Sequence, residues 1–429
     1  MRSLLVLLLD GLGDRAVDAF GGRTANEAGW TPNLDALAAQ GSCGLLSPLG
    51  PGRAPSSEVA HWAMLGYHPH EFPGRAALEA LGHRLAVDPG QVLAHAALRP
   101  AELRDGALWV TGRATHADAD AARTLLESLG RVGIGPLTLD VRPMGVGEGL
   151  LAITGPAHDA VTDTDPFFRE RYPVLRPRPV VPEAADTARA VELWSRRAVR
   201  ALARHPINRD RAERGVPPLA VVTLKWWSRL REAPSFRARH GLDGAIVGAS
   251  PFLAGLGRLL GLGFVHCPEG ADPAGALERR LQVVKGLLDG GATFVFCHLK
   301  ATDEAGHTKD PAVKLRTIEA VDLTLANLTG RFPGSVICVT GDHATPTSSE
   351  VIHSGDPVPF LLAGPGVRAD RVPRFGEIDC AGGILGQLTG ADVMPVLLNA
   401  ADRPLFLGSR PTPTPGASGA PLDVEPLSL

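Results

Sequence analysis

The residues in this chain best suited to chemistry are aspartates and histidines that stand at the ends of short apolar runs. Asp10 closes "SLLVLLLD", and after "TFVFCH" comes "LKATDEAGH", where Asp303 and His307 stand four apart and share one face if the segment is helical. "SVICVTGDHAT" delivers Asp342 and His343, and His353 precedes the apolar run of "HSGDPVPFLLAG". Taken singly these are ordinary: an Asp after a strand commonly caps a helix or closes a turn, and a lone His is more often a surface or core residue than a ligand. Taken together they are carboxylates and imidazoles with no thiolate, a donor set that suits Mn²⁺, Mg²⁺, Co²⁺ or Zn²⁺. Such carboxylates, brought to one place, would be costly without cations.

A second stretch with chemical potential is "RAPSSEVAHWAMLGYHP", residues 53–69. By itself it reads as a helix start, with a Ser oxygen accepting from the orphan N–H groups of the first turn. The competing reading makes Ser57 a nucleophile.

These groups need a scaffold that carries strand ends to one edge. Short apolar runs at 4–9, 219–224, 293–298, 335–340 and 358–363 alternate with helical patterns, which predicts an α/β domain with a mostly parallel sheet. In such sheets ligands sit beyond the carboxyl ends of the strands. Residues 83–174 differ in texture, being rich in Arg, Asp and Pro with short strand candidates such as "ALWV" and "LLAIT". They are expected to form an inserted smaller α+β cap domain, leaving 1–82 and 175–407 as the core domain. A chain of 429 residues exceeds the usual reach of one hydrophobic core, which agrees with two domains. The Pro, Gly, Ser and Thr of 408–429 predict a disordered tail.

With 44% hydrophobic residues, 21% charged and a formal net charge of −3, the chain offers no basic surface for nucleic acid or an anionic membrane. Its five cysteines are scattered and include no CxxC pair, so a reducing cytoplasm fits best. The apolar start is too short for a signal peptide and ends in Asp10. The window 244–265 is interrupted by Arg258 and glycines and reads as strand, helix and strand rather than a membrane span.

The blocks "DGLGDR", "TPNLDALAAQG", "SSEVAHWAMLGYHP", "PGRAALEALG", "VTDTDP", "HPINRDR", "KATDEAGH", "VTGDHATP" and "HSGDPVPFLLAGPG" occur in this order from about residue 3 to 405. In that order they resemble the archaeal-type cofactor-independent phosphoglycerate mutases of the alkaline phosphatase superfamily. The resemblance implies one metal ion held by Asp303, His307 and His353, and a second held by Asp10, Asp342, His343 and the Ser57 oxygen, with Mn²⁺ the first choice. It makes Ser57 the nucleophile, since "PSSE" stands where the family carries a "PGSD"-like turn. It also implies a phosphoserine and interconversion of 3-phosphoglycerate and 2-phosphoglycerate. Arg75, Arg113 and Lys225 would contact the small phosphorylated acid, Lys300 would neutralise transition-state charge, and Asp163 or Asp165 would move the proton between hydroxyls. Glu58 and His61 are expected to support the helix after Ser57.

Three segments depart from the family pattern. "HAALRPAEL" stands where an "NFATVD"-like segment is usual, "LKWWSR" replaces an "LRGAG"-like one, and Phe167 follows "DTDP" where a His is usual. His158 is absent from the usual pattern and reads as a loop residue, with a compensating role as the alternative. These departures sustain a second reading, a related phosphomonoesterase or phosphotransferase acting on another small phospho or phosphono compound. A third, a noncatalytic metabolite sensor, would keep the same metal and Ser57 positions without turnover.

Overall fold

The computed structural model describes residues 2–166, 172–348, 350–405 and 427–428. The expectations placed on Phe167 and on nearly all of 408–429 concern residues outside that set. Two compact units emerge, one of Met1–Phe72 with Ala233–Leu429 and one of Pro73–Glu232. The chain begins with strands β1 (Ser3–Leu9) and β2 (Ser42–Leu46) in the first unit. The second unit follows with β3 (Val92–Arg104), β4 (Ala107–Val110), β5 (Arg131–Ile134), β6 (Leu137–Pro143), β7 (Glu148–Thr154) and β8 (Leu219–Arg229). The first unit is then completed by β9 (Gly244–Gly248), β10 (Gly263–His266), β11 (Phe294–Leu299), β12 (Ser335–Thr340), β13 (Val358–Ala363) and β14 (Gly386–Leu388).

In the first unit the sheet order is β10-β9-β11-β1-β12-β13-β2-β14. All neighbours are parallel except β13, which runs antiparallel to both β12 and β2. β1, β11, β12 and β13 are apolar almost throughout because both faces are covered, as expected of strands in a doubly flanked sheet. Leu5, Leu7 and Leu9 pack with residues of the helices Pro32–Gln40, Pro273–Asp289 and Pro311–Leu323. Phe294 and Phe296 lie in register with Leu4 and Val6 and meet Phe236 and His61 from helices Phe236–His240 and Ser57–Met64. The window 244–265 is a parallel strand–helix–strand passage, β9, helix Pro251–Leu260 and β10. No helix among the described residues is long and apolar enough to cross a membrane.

The second unit is built on an antiparallel sheet, β4-β3-β7-β6-β5 with β8 also on β3. Its core joins Leu98, Leu139, Leu151 and Leu224 to Leu125, Trp194 and Leu202 of the helices Ala119–Ser128 and Ala185–Arg204. This corrects the boundaries expected at 83 and 174. The run 219–224 belongs to this antiparallel sheet, because β8 pairs along most of β3, and it brings the two helices before it into the same core. The helix Arg75–Gly82 likewise packs here, with Ala77 N–H donating to Ser228 Oγ at 3.0 Å.

Candidate active site

The direction of the strands explains why the acids and histidines of the first unit meet. Asp10 follows β1, Asp303 and His307 lie in the helix Ala301–His307 after β11, and Asp342 and His343 follow β12, all at carboxyl ends. His353 precedes β13, and because β13 is reversed its amino end lies at that same edge. Gly11, at φ +64°, turns the chain after Asp10, and a Cβ there would stand 2.5 Å from Thr345 Oγ1. Its N–H donates to Asp342 Oδ1 at 3.0 Å.

Two donor clusters result, Asp10–Asp342–His343 and Asp303–His307–His353, each with its ligating atoms within 4.8 Å of one another. In the first, His343 Nε2 lies 3.2 Å from Asp10 Oδ1 and 3.4 Å from Asp342 Oδ2. In the second, Asp303 Oδ1 lies 3.2 Å from His307 Nε2 and 3.6 Å from His353 Nε2. The clusters adjoin: the His343 and His353 rings stack at 3.7 Å, and Thr345 Oγ1 donates to Asp303 Oδ1 at 2.8 Å beside His343 Nδ1. Lys300 spans them, its Nζ 3.2 Å from Asp303 Oδ2 and 3.6 Å from Asp10 Oδ2.

The residues fit divalent ions. Asp10 Oδ1, Asp342 Oδ2 and His353 Nε2 are buried and accept or donate no hydrogen bond among the described residues, an arrangement that is expensive unless cations complete it. Burial opposes ionisation of Asp10, yet Lys300, the hydrogen bond with His298 and the nearby His343 imidazole hold its carboxyl well below the usual range. Asp303 is likewise depressed against burial and the Asp10 charge, by His307, His353 and Lys300. Burial pulls the His343 imidazole down, but Asp342 and Asp10 outweigh it and raise the group to about 9. The proton so held on His343 would give way to a metal ion bound by this cluster.

Ser57 opens the helix Ser57–Met64, and its Oγ is hydrogen-bonded to His343 Nε2 at 2.9 Å. The helix-cap reading of this stretch is therefore corrected. The N-cap residue is Ser56, and no side-chain hydrogen bond caps the helix. The Ser57 hydroxyl turns toward the donor cluster, at a helix amino end where the backbone dipole favours negative charge.

Two histidines back the carboxylates. His298 Nε2 is 3.0 Å from Asp10 Oδ2, and His61 Nε2 lies 3.1 Å from Asp342 Oδ2 without hydrogen-bond alignment. His61 reaches Asp342 from the helix that Ser57 opens. His298 was not singled out from sequence, although it stands at a strand end as Asp10 does. Its backbone is fixed by the fully buried Arg280, whose Nε donates to the His298 carbonyl at 2.8 Å. Partners of this kind orient metal ligands, so His298→Ala is expected to weaken Mn²⁺ binding about 10–100-fold. Calorimetric titration measures this, and an unchanged affinity would reduce His298 to a packing residue.

In the second unit, several of the expected substrate residues gather in one charged cluster. Arg75 Nε donates to Glu79 Oε1 at 2.9 Å, Glu79 Oε2 meets His95 Nδ1 at 2.6 Å, and His95 Nε2 is bonded to Glu148. Asp165 accepts from Thr223 Oγ1 at 2.7 Å and lies 3.8 Å from both Arg99 and Lys225. Asp163 accepts from the Trp226 N–H at 3.1 Å. Burial pushes the Asp163 carboxyl up to about 6, with the Trp226 N–H opposing and Asp165 adding to the rise. Arg113 is exposed in the loop after β4. His158 is a loop residue, its Nδ1 accepting from Ala160 N–H at 3.0 Å. Glu79, His95, Arg99 and Glu148 were not legible as a group, because strand register joins positions up to 53 residues apart.

A reversed strand within a parallel sheet, with two oxygen and nitrogen donor clusters along its carboxyl edge, defines a metal-dependent enzyme, and the family described as the metalloenzyme superfamily matches residues 2–400. A 2,3-bisphosphoglycerate-independent phosphoglycerate mutase of Methanopyrus kandleri is 36% identical, covering 94% of this chain and 97% of its own. The chain belongs to this family of mutases within the superfamily. Among solved structures, a Pyrococcus horikoshii protein is similar with a TM-score of 0.75 at 28% identity, covering 95% of this chain and 99% of its own. The cofactor-independent phosphoglycerate mutase of Thermoplasma acidophilum gives 0.62 at 30%, covering 94% and 100%.

Proposed function

We propose that this chain interconverts 3-phosphoglycerate and 2-phosphoglycerate through a phosphoserine at Ser57, with two Mn²⁺ ions and in the cytoplasm. The observation that carries the reading is the Ser57 hydroxyl, hydrogen-bonded to His343 inside the Asp10–Asp342–His343 cluster. Asp303, His307 and His353 would hold one ion, and Asp10, Asp342, His343 and Ser57 the other. Such ions lower the pKa of a bound hydroxyl and neutralise phosphoryl oxygens.

Ser57 Oγ forms the bond to phosphorus as the bond to the substrate's C3 oxygen breaks. The freed oxygen gains the proton that the reaction removed at Ser57. The phosphoryl group then passes to the C2 oxygen as the Oγ–P bond breaks, and the C2 hydroxyl proton returns to Ser57 Oγ, so neither water nor free phosphate enters the balance. Lys300 faces the charge that builds on the phosphoryl oxygens. Arg75, Arg113 and Lys225 recognise the anionic groups of the substrate, and Asp163 or Asp165 moves the proton between the two hydroxyls.

The raised Asp163 group makes this testable by pH. A carboxyl that titrates near 6 is protonated below that value and ionised above it. If Asp163 takes the proton, kcat/KM rises with pH up to about 6 and then levels. Asp163→Asn is expected to remove that limb and to lower kcat by about 100-fold. A limb that persists in the variant would pass the role to Asp165.

The direct experiment is ³¹P NMR of 3-phosphoglycerate with the Mn²⁺-loaded protein, recorded after the metal is removed. A 2-phosphoglycerate resonance without inorganic phosphate is expected. Inorganic phosphate alone would replace the mutase with a phosphomonoesterase, and an unchanged spectrum would overturn the substrate.

A further inference from the structure

We infer that Trp226 is a positioning residue: an indole mounted on a β-bulge that holds Arg75 and Lys225 together as a pair of cations for the substrate's anionic groups. The identity of that substrate rests on the mutase reading above.

The pairing of β8 with β3 slips at this point. Ser228 faces Leu93 and Lys225 faces His95, so Trp226 and Trp227 together oppose the single residue Ala94. Trp226 takes φ +60°, a left-handed backbone that bulky side chains rarely adopt and that glycine fills without cost. Bulges of this kind re-aim a side chain, commonly beside a site. Backbone strain held by a non-glycine residue is a mark of function when the side chain uses the direction it gains.

The contacts of the ring show what that direction achieves. Its centroid lies 3.8 Å from Arg75 Cζ and 4.2 Å from Lys225 Nζ, both within cation–π range. The His95 ring meets it edge-on at 4.9 Å. Trp227, the next residue, packs against the apolar core instead. Arg75 is thus fixed along one edge by Glu79 and across its face by the indole. Glu79 is in turn fixed by His95, and His95 by Glu148. Lys225 answers to Asp165 at 3.8 Å and to the same ring. An arginine and a lysine repel each other unless something holds both, and Trp226 touches the two of them while its own N–H fixes Asp163.

The test compares Trp226→Gly with Trp226→Phe in the metal-loaded enzyme. Glycine suits the left-handed φ, so the first variant is expected to fold, as circular dichroism and thermal melting will show. Its KM for 3-phosphoglycerate should rise about tenfold or more, with kcat changed far less. Phenylalanine keeps a face for the cations and should restore most of the KM. An unchanged KM in Trp226→Gly overturns the inference, and so does an equal loss of kcat and KM in both variants, which would mark a structural role. The same substitutions are titrated calorimetrically with 3-phosphoglycerate in the Ser57→Ala background, where no turnover intervenes. A parent enzyme that binds this compound without isomerising it defeats the mutase reading alone, and the ratio of Kd values then decides the role of the indole. Equal Kd values with and without the ring overturn the inference, and a parent that does not bind 3-phosphoglycerate overturns both.

Discussion

Ser57→Ala is expected to abolish interconversion, lowering turnover by about 10⁴-fold or more. The hydroxyl is the protein group that bonds to phosphorus in the proposed mechanism, and alanine leaves nothing to replace it. The fold should survive the change. Ser57 Oγ does not cap its helix and makes its hydrogen bond to His343 instead, so the loss is that of one hydrogen bond, about 1 kcal/mol. Melting temperature therefore separates a chemical defect from an unfolded one. Ser56→Ala serves as the control, since the Ser56 side chain makes no capping bond, and most activity should remain. Turnover that persists in Ser57→Ala would end the phosphoserine reading.

Removal of divalent metal is expected to reduce activity to about the level of the Ser57 variant, since the donor clusters and the nucleophile form one charge system. It should also lower thermal stability. Asp10, Asp303 and Asp342 are buried within a few ångströms of one another's partners, and among the described residues Lys300 is the one lysine that bridges the two clusters. An ion bound only by the folded chain at about 100 times its Kd stabilises by about 2.7 kcal/mol. Chelation followed by a return of Mn²⁺ should therefore lower and then restore both activity and melting temperature. A melting temperature indifferent to chelator would argue that the clusters hold no ion.

The donor residues were legible because each sits at the end of a recognisable strand. Asp10, Asp303, Asp342 and His343 needed only the rule that parallel strands deliver their carboxyl ends to one edge. His353 needed more: it precedes its strand, and it reaches the edge because β13 is reversed, which an apolar hexapeptide does not reveal. The same limit explains the misplacement of residues 219–224. A buried apolar run looks alike in either sheet, and its partner, β3, lies more than 100 residues earlier. Ser57 could not be separated from a cap by local sequence, because serine at a helix start serves both purposes and the deciding contact is with His343, 286 residues away. Trp226 stood out only as a departure from an "LRGAG"-like pattern, and its left-handed φ accounts for the glycine that pattern would place there.

The position of β1 in its sheet bears on how the chain comes to be folded at all. It precedes every other strand among the described residues, yet its neighbours are β11 and β12, with Leu4 paired to Phe294 and Ser3 to Ser335. The whole of Pro73–Glu232 is synthesised in the interval. Its antiparallel sheet joins strands closer in sequence, so it can form while β1 still waits, an apolar strand with both edges open. The same holds for β2, whose neighbours β13 and β14 are also made after that interval, so during synthesis the exposed apolar edges are those of β1 and β2. Of the two donor clusters, Asp10–Asp342–His343 takes residues from both sides of that interval, so it can be completed only once the chain beyond β12 has emerged.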